Sequence, residues 1–234
     1  MTRWRIGFDL DDTLMAGPYG RLWFRPWVAA REREAGVAPG TFLRRLRDAG
    51  AERWRRGEWV AAYDWPDMVR EELGVVLPDP PVPDVGAARA LVAPGAYRLL
   101  AWLWDRRVEL VLVTNGFWRL QRPYLDALGW QDIFSRYSTP DLAGAAKPDP
   151  RIFDGVGPLS LFVGDRPWQD GLGAVRAGIP VALVGPGPRS EERWDPLGRI
   201  PEGAWRAEGL DRLVRDLEAD RLPIGNLSSG NDVP

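Results

Sequence analysis

Residues 4–14 read WRIGFDLDDTL, a short apolar run that ends in a cluster of acids. Residues 4–8 carry β-forming side chains and predict a strand. A strand that is apolar along most of its length is typical of a parallel sheet covered on both faces. We therefore expect a buried strand here, with a functional loop at its carboxyl end.

The acids of this loop alternate in direction. Asp9 and Asp11 stand two residues apart, so both can face one crevice while Leu10 points into the core. The alternative is a polar turn in which Asp12 or Thr13 caps a helix. We interpret Asp12 as structural, because the same alternation directs it away from Asp11.

After this loop the pattern becomes helical. Apolar residues recur at helical spacing over residues 22–73, with breaks at 36–40, near Gly50 and at Trp65-Pro66, which predicts three or four helices. Residues 77–85 include four prolines and are interpreted as the return linker of an insertion. The insertion is predicted to span residues 16–92.

The remainder alternates between strands and helices. Strands are predicted at 108–113, 136–138, 159–163 and 179–184, and helices at 97–105, near 122–128, from Pro150 and near 171–177. This order predicts an α/β fold, a Rossmann-like parallel sheet flanked by helices, with a small inserted α-helical domain. The core is predicted to comprise residues 1–15 and 93–222, followed by a mobile tail at 223–234.

Composition limits the class of protein. With 45% hydrophobic and 27% charged residues, the chain is typical of a soluble globular protein. It has no apolar run of the roughly 18 residues that a membrane span needs and no leader pattern, so we expect a cytoplasmic protein. A net charge of −2 argues against nucleic acid as a partner, and the oligomeric state is not predicted.

The absent residue types limit the chemistry. The chain has no histidine and no cysteine, so catalysis must use carboxylates, hydroxyls, amides, Arg or Lys. The 31 basic residues include one Lys, at position 147. Lys is a compact point charge and Arg a flat bidentate fork, so this exception marks a candidate site, although codon composition is the simpler explanation.

Four polar clusters each follow a predicted strand or begin the next helix. They are Asp9-Leu10-Asp11-Asp12-Thr13, Thr114-Asn115-Gly116, Lys147-Pro148-Asp149-Pro150, and Gly164-Asp165 with Asp170. Strand ends converge at one edge of a parallel sheet, where ligands bind. The order and spacing of the clusters resemble the haloacid dehalogenase superfamily of phosphohydrolases over residues 6–184. Residues 15–92 fall where that family inserts a helical cap.

The resemblance implies a mechanism for the first cluster. It implies that Asp9 is the nucleophile and Asp11 the general acid and base. A carboxylate that attacks phosphorus forms an aspartyl-phosphate and splits the hydrolysis into two easier steps. The implied substrate is a small organic phosphomonoester, such as a sugar phosphate or a nucleotide.

The acids also predict a cation. Gathering Asp9, Asp11 and Asp165 is unfavourable, because each like-charged pair near 4 Å costs about 4 kcal/mol at an effective dielectric of 20. A divalent cation removes this repulsion, and all-oxygen ligands favour Mg²⁺. The resemblance implies the Asp9 carboxylate, the Asp11 backbone carbonyl and Asp165 as ligands. Asp170 is either a further ligand or the N-cap of the following helix.

The second cluster predicts phosphate binding. Thr114 ends an apolar strand and would give its hydroxyl to a phosphate oxygen, beside the backbone amides of Asn115 and Gly116. Asn-Gly alone usually signals a hairpin turn. A helical pattern follows here, which favours the phosphate site.

Lys147 is predicted to act beside the nucleophile. Pro148 disfavours helix at Lys147, Asp149 is a natural N-cap, and Pro150 suits the first helical position. The ammonium would balance charge on the phosphate in the transition state. The alternative is a plain helix entry with a solvated Lys.

Features of the insertion bear on the substrate. Its five tryptophans, at 23, 27, 54, 59 and 65, are interpreted as core rather than a lid. Residues 44–56 hold six Arg, which could bind a second anionic group, although a solvated helix face is preferred. Tyr19, Arg21 and Trp23 are better placed to meet a leaving group.

Other activities were compared by residue. Within the superfamily, dehalogenation lacks the second aspartate, present here as Asp11, and phosphonate cleavage uses a cap lysine, absent here. A phosphosugar mutase on the same motifs stays open. A receiver-like signalling domain places its acids on different strands and is about half as long, and a non-catalytic binding protein is disfavoured by the intact motifs.

Overall fold

The core is a parallel sheet. The computed structural model of the chain describes residues 4–185 and 200–222. Within these residues six strands form one sheet in the order β3-β2-β1-β4-β5-β6, with every neighbouring pair parallel. The strands are β1 (Arg5–Phe8), β2 (Glu109–Val113), β3 (Arg136–Ser138), β4 (Leu161–Gly164), β5 (Val181–Val184) and β6 (Trp205–Ala207). The predicted parallel α/β fold is confirmed.

Helices connect and flank these strands. In chain order they are α1 (Arg25–Glu34), α2 (Thr41–Arg55), α3 (Trp59–Ala62), α4 (Trp65–Leu73), α5 (Val85–Arg89), α6 (Ala96–Asp105), α7 (Trp118–Leu128), α8 (Pro140–Ala143), α9 (Gly173–Arg176) and α10 (Leu210–Glu218). Gly20–Phe24 and Pro167–Leu172 form π-helical turns, and Pro150–Val156 forms a 3₁₀ helix.

Both faces of the sheet are covered. In β2, Leu110 and Leu112 pack into one buried cluster together with α6, α7 and α10. Val111 and Val113 point the opposite way, into a second cluster with the 3₁₀ helix and α9. Because neighbouring side chains of a strand face opposite sides, a continuous apolar run such as Leu110–Val113 requires an apolar layer on each face.

The strand order creates a crevice beside β1. The chain runs from β1 outward through β2 to β3, and β4 then returns to the other side of β1. Ligands of open α/β sheets bind outside the carboxyl ends of the strands at such a switch point. The loops after β1, β2 and β4 all end at this crevice, which brings three of the four polar clusters together.

The insertion between β1 and β2 is helical, as predicted. Helices α1–α4, termed here the inserted helices, match the predicted three or four, and residues 76–84 have no regular structure. Helix α5, which follows within the predicted insertion, was not expected. Its N-cap, Asp84, accepts a hydrogen bond from the Ala87 N–H at 3.0 Å.

A buried carboxylate fixes the start of α2. The Glu32 side chain accepts hydrogen bonds from the N–H groups of Gly40 at 2.7 Å, Phe42 at 2.8 Å and Leu43 at 3.3 Å. Burial alone would raise the pKa of Glu32, but these three donors hold its pKa below the usual range. Glu32 on α1 therefore satisfies the free N–H groups at the start of α2 and joins the two helices.

The tryptophans of the insertion pack among the inserted helices. Trp54 is buried, and its ring centroid lies 6.1 Å from that of Trp59. Trp23 and Trp27 stack with the same centroid separation of 6.1 Å, and Trp65 packs against Phe24 at 4.8 Å. These contacts agree with the interpretation of the tryptophans as core.

The structure differs from the prediction in the last third of the chain. Strand β6 and helix α10 were not predicted, and the helix expected near 171–177 begins as the π-helical turn Pro167–Leu172. The tail predicted to be mobile, 223–234, lies outside the described residues. Among the residues that the structure describes, no helix is long and apolar enough to cross a membrane.

Candidate active site

Three of the four polar clusters line one cleft of about 830 Å³. The strand ends of the sheet form the floor of this cleft, and the inserted helices contribute the wall that faces it. Seven of the eight predicted site residues line it, namely Asp9, Asp11, Thr114, Asn115, Gly116, Asp165 and Asp170. The eighth, Lys147, lies below the floor and contacts Asp9. The structure thus brings together the eight residues predicted to be catalytic, phosphate-binding or metal-binding.

Lys147 links two buried carboxylates. It is 1% exposed, and its Nζ lies 2.6 Å from Asp9 Oδ1 and 2.6 Å from Asp170 Oδ1. The Nζ also donates to the Val113 carbonyl at 2.9 Å. Burial alone would lower the pKa of Lys147, but the charges of Asp170 and Asp9 raise its pKa above the usual range. Lys147 is a charged structural partner of the proposed nucleophile, and the solvated alternative is wrong.

Asn115 holds the Lys147 backbone in place. The Asn115 Oδ1 accepts from the Lys147 N–H at 2.8 Å, and the Asn115 Nδ2 donates to the Lys147 carbonyl at 3.0 Å. The side chain is therefore occupied, and only the backbone N–H of Asn115 is left for a ligand. Asn115-Gly116 joins β2 to α7, so the hairpin alternative is wrong. The Thr114 hydroxyl accepts from the Gly116 N–H at 3.2 Å.

Asp9 is buried at the end of β1. Its Oδ2 accepts from the Thr13 hydroxyl at 3.1 Å, so Thr13 orients the carboxylate rather than capping a helix. Burial raises the pKa of Asp9 to about 6, against the lowering effect of Lys147. At neutral pH the carboxylate is mostly ionised, as a nucleophile requires.

Asp170 folds back onto the loop after β4. Its Oδ2 accepts from the N–H groups of Asp165 at 3.0 Å and Arg166 at 2.9 Å. The N-cap of this helical turn is Arg166, so the interpretation of Asp170 as an N-cap is wrong. A Cβ on Gly164 would lie 2.4 Å from Asp170 Cγ, which means that only glycine leaves room for this arrangement.

Three of the carboxylates fit a divalent cation. Oxygens of Asp9, Asp165 and Asp170 lie within 4.8 Å of one another. Asp165 Oδ1 is buried and has no hydrogen-bond partner among the described residues. Burial and the charge of Asp170 raise the pKa of Asp165 well above its usual range. A cation would supply the missing partner and relieve this repulsion, and oxygen ligands suit Mg²⁺.

Asp11 is held by a glutamine that the sequence analysis did not identify. The buried Gln121, on α7, donates through Nε2 to Asp11 Oδ2. A Cβ on Gly116 would lie 1.9 Å from the Gln121 Nε2, so Gln121 reaches Asp11 through space that Gly116 leaves open. Burial and the charge of Asp9 raise the pKa of Asp11 to about 7, which suits proton transfer near neutral pH.

Two further residues at the cleft were also missed. Arg166 pairs with Asp165 Oδ2 at 3.0 Å and Asp12 Oδ2 at 3.2 Å, where Asp12 adopts a φ of 64°. Tyr63, directly after α3, brings its hydroxyl near Asn115, and burial raises the pKa of this hydroxyl. Arg166 could have been considered because it directly follows Asp165 in the chain, whereas no feature of the sequence points to Tyr63.

Comparisons with known proteins agree with this geometry. The family model described as "haloacid dehalogenase-like hydrolase" matches residues 6–178. Over 106 residues the chain is 38% identical to phosphoserine phosphatase of Thermus thermophilus, covering 42% of this chain and 43% of that protein. It is 32% identical over 196 residues to phosphoglycolate phosphatase of Pseudomonas fluorescens, covering 74% and 66%.

A solved structure extends the comparison to the fold. The crystal structure of a HAD phosphatase from Thermococcus onnurineus superposes with a TM-score of 0.66 at 24% identity, over 92% of this chain and 97% of that one. The chain spans 43% and 66% of the length of these two curated relatives.

Proposed function

Because this chain belongs to the haloacid dehalogenase-like hydrolase family, we propose that it is a phosphatase that hydrolyses a small organic phosphomonoester with the help of Mg²⁺. The observation that carries the proposal is the contact of Asp9 with Lys147 beside Asp165 and Asp170, at the floor of an open cleft. The phosphatase names of two relatives support phosphate esters as the substrate class.

In the first step an Asp9 carboxylate oxygen attacks phosphorus. The bond from phosphorus to the ester oxygen breaks, and its electron pair leaves with that oxygen. Asp11 gives its proton to the departing alcohol, for which a pKa of about 7 is suited. The product on the enzyme is an aspartyl-phosphate on Asp9.

In the second step water attacks the same phosphorus. Asp11, now a carboxylate, takes a proton from that water, and the bond between phosphorus and the Asp9 oxygen breaks. Inorganic phosphate leaves and both carboxyl groups return to their starting states. Gln121 holds the Asp11 carboxyl during both transfers.

The surrounding groups bind the phosphate. The Thr114 hydroxyl and the N–H groups of Asn115 and Gly116 are proposed to donate to its oxygens, the Gly116 N–H in place of its hydrogen bond to the Thr114 hydroxyl. Lys147 supplies positive charge beside Asp9. Mg²⁺, held by Asp9, Asp165 and Asp170 with the Asp11 carbonyl, would neutralise negative charge on the transferred group. Residues 16–92 are proposed as a cap over the core of 1–15 and 93–222.

The decisive experiment measures phosphate release from p-nitrophenyl phosphate. We expect wild-type activity with Mg²⁺ and its loss with a chelator. Asp9→Asn should lower the rate about 10³-fold or more, because the nucleophile is removed. Asp105→Asn, at the exposed end of α6, is the matched control and should keep wild-type activity. If chelation and Asp9→Asn both leave the rate unchanged, the proposal is wrong.

A further inference from the structure

The wall of the cleft opposite the acids is basic. Arg21, Arg25 and Arg47 line the same cleft as Asp9. Arg21 lies in the π-helical turn Gly20–Phe24, Arg25 begins α1, and Arg47 lies within α2. Arg21 and Arg25 are four residues apart and therefore share a face of the helix. Three arginines from neighbouring helical segments thus line one cavity.

These three arginines lack the carboxylate partners that most arginines of the inserted helices have. Within residues 4–185 and 200–222, no ion pair or side-chain hydrogen bond joins Arg21, Arg25 or Arg47 to an acid. Other arginines of this region pair with nearby carboxylates, namely Arg31, Arg45, Arg53, Arg55, Arg56 and Arg70. Among the described residues Arg33 and Arg44 of the inserted helices also have no such ion pair, so what distinguishes Arg21, Arg25 and Arg47 is that they lie at the cleft.

Two of the arginines also act on each other. Partial burial and the charge of Arg25 lower the pKa of Arg47. Two like charges held together without a carboxylate between them are unfavourable. A bound anion between them would remove that cost, and a guanidinium fork matches both carboxylate and phosphate geometry.

We propose that Arg25 and Arg47, with Arg21 beside them, form a subsite for a second anionic group on the alcohol that leaves. This inference rests on the proposed function, because it assumes that the reacting phosphate lies at Asp9. The substrate is then a phosphomonoester with an anionic group at each end, of which a phosphorylated hydroxy acid is the smallest kind. The cleft of about 830 Å³ has room for both ends, within the usual range of ligand sites.

The test uses a matched pair of esters. 2-Phosphoglycolate and 2-hydroxyethyl phosphate differ in that one ends in a carboxylate and the other in a neutral CH₂OH group. Ethylene glycol bisphosphate places a phosphate at the same end. We expect kcat/KM of the wild type for at least one charged probe to exceed that for the neutral ester by about 10-fold or more, the usual effect of a charge-assisted hydrogen bond. The charged probe with the higher kcat/KM shows whether the subsite prefers a carboxylate or a phosphate.

Removing the charges of the arginines then distinguishes a loss of the subsite from a loss of turnover that affects every ester. In the double variant Arg25→Gln/Arg47→Gln the preference should fall to within about 3-fold, mainly through loss of turnover of the charged probe. Arg33→Gln removes an exposed charge from α1 outside the cleft and should change nothing. Equal wild-type turnover of charged and neutral esters would overturn the subsite, as would an equal loss for both in the double variant.

Binding without turnover keeps this inference separate from the proposed function. Calorimetry with Asp9→Asn should show tighter binding of the charged probe than of the neutral ester, and the double substitution should abolish the difference. That result supports the subsite even if no ester is hydrolysed, in which case the proposed function alone fails. Equal binding of the charged and neutral esters overturns the subsite even if every ester is hydrolysed.

Discussion

Replacing Lys147 with Arg tests whether the position needs a point charge or only a positive one. The Nζ has three oxygen neighbours, Asp9 Oδ1 and Asp170 Oδ1 at 2.6 Å each and the Val113 carbonyl at 2.9 Å. One ammonium can satisfy all three because its donors surround a single atom. A planar guanidinium spreads its donors over three nitrogens and cannot place one atom at the centre of the three oxygens.

The magnitude follows from this geometry and from burial. Lys147 is 1% exposed, with the Phe162 ring centroid 5.2 Å from Nζ, so the larger Arg overpacks the site at a cost of about 1–3 kcal/mol in unfolding free energy. Displacing a charge beside the reacting group should lower kcat about 10²–10³-fold. Lys147→Met, which keeps the length and removes the charge, should lose at least as much activity.

The assay is kcat for phosphate release from p-nitrophenyl phosphate at saturating Mg²⁺, together with urea unfolding. Urea unfolding shows whether each variant is folded at the assay temperature. If Lys147→Arg keeps kcat within about 3-fold of wild type while Lys147→Met does not, charge alone is sufficient. The reasoning from the three surrounding oxygens would then be refuted.

Two further predictions address residues that hold the site and the insertion. Gly164→Ala would place a Cβ 2.4 Å from Asp170 Cγ, so Asp170 must leave its place, and the Mg²⁺ concentration for half-maximal activity should rise about 10-fold. Gly155→Ala is the control, because a Cβ there would have nothing within 4 Å. Equal effects of the two substitutions on that concentration would contradict the argument. Glu32→Gln should lower the unfolding free energy by about 1–2 kcal/mol at pH 7. Backbone donors hold the folded pKa of Glu32 below its unfolded value of about 4.3, so the stabilisation is present above that pH and is lost as pH falls through the folded pKa. Urea unfolding of the wild type and Glu32→Gln at pH 7 and pH 3 checks this. A difference in unfolding free energy between the two proteins that does not change with pH would count against it.

Sequence patterns were sufficient to predict the elements in which apolar residues recur at a clear spacing. The apolar runs predicted the strands β1, β2, β4 and β5, and the predicted bounds of the short strand β3 agree at both ends. Helix α10 could also have been predicted, because Leu210, Leu213, Val214 and Leu217 recur at the spacing of an amphipathic helix. Strand β6 has three residues, too few to show an alternation, and its pairing with β5 depends on the completed sheet.

The candidate site was predictable to the extent that it depends on strand ends. Asp9, Asp11, Thr114 and Asp165 follow from that rule, and Lys147 from its place before a helix, but the orientation of these side chains does not. Gln121 reaches Asp11 across the missing Cβ of Gly116, and such close approaches between distant segments have no signal in one sequence. Asp170 likewise folds back through space that the missing Cβ of Gly164 leaves open.

The charges of the cleft connect the nucleophile to the substrate. Four acids, Asp9, Asp11, Asp165 and Asp170, share the floor, and burial together with the charge of neighbouring acids raises the pKa of the first three, as expected where carboxyl groups are crowded. Lys147 offsets part of this charge, and it is already engaged by Asp9 and Asp170. Under the proposed function a cation at the floor would offset the remaining negative charge near Asp9, whereas the arginines at the cleft attract negative charge without one. An ester with an anionic group at each end is the substrate class that would gain from both, whereas its neutral counterpart would gain at the floor alone.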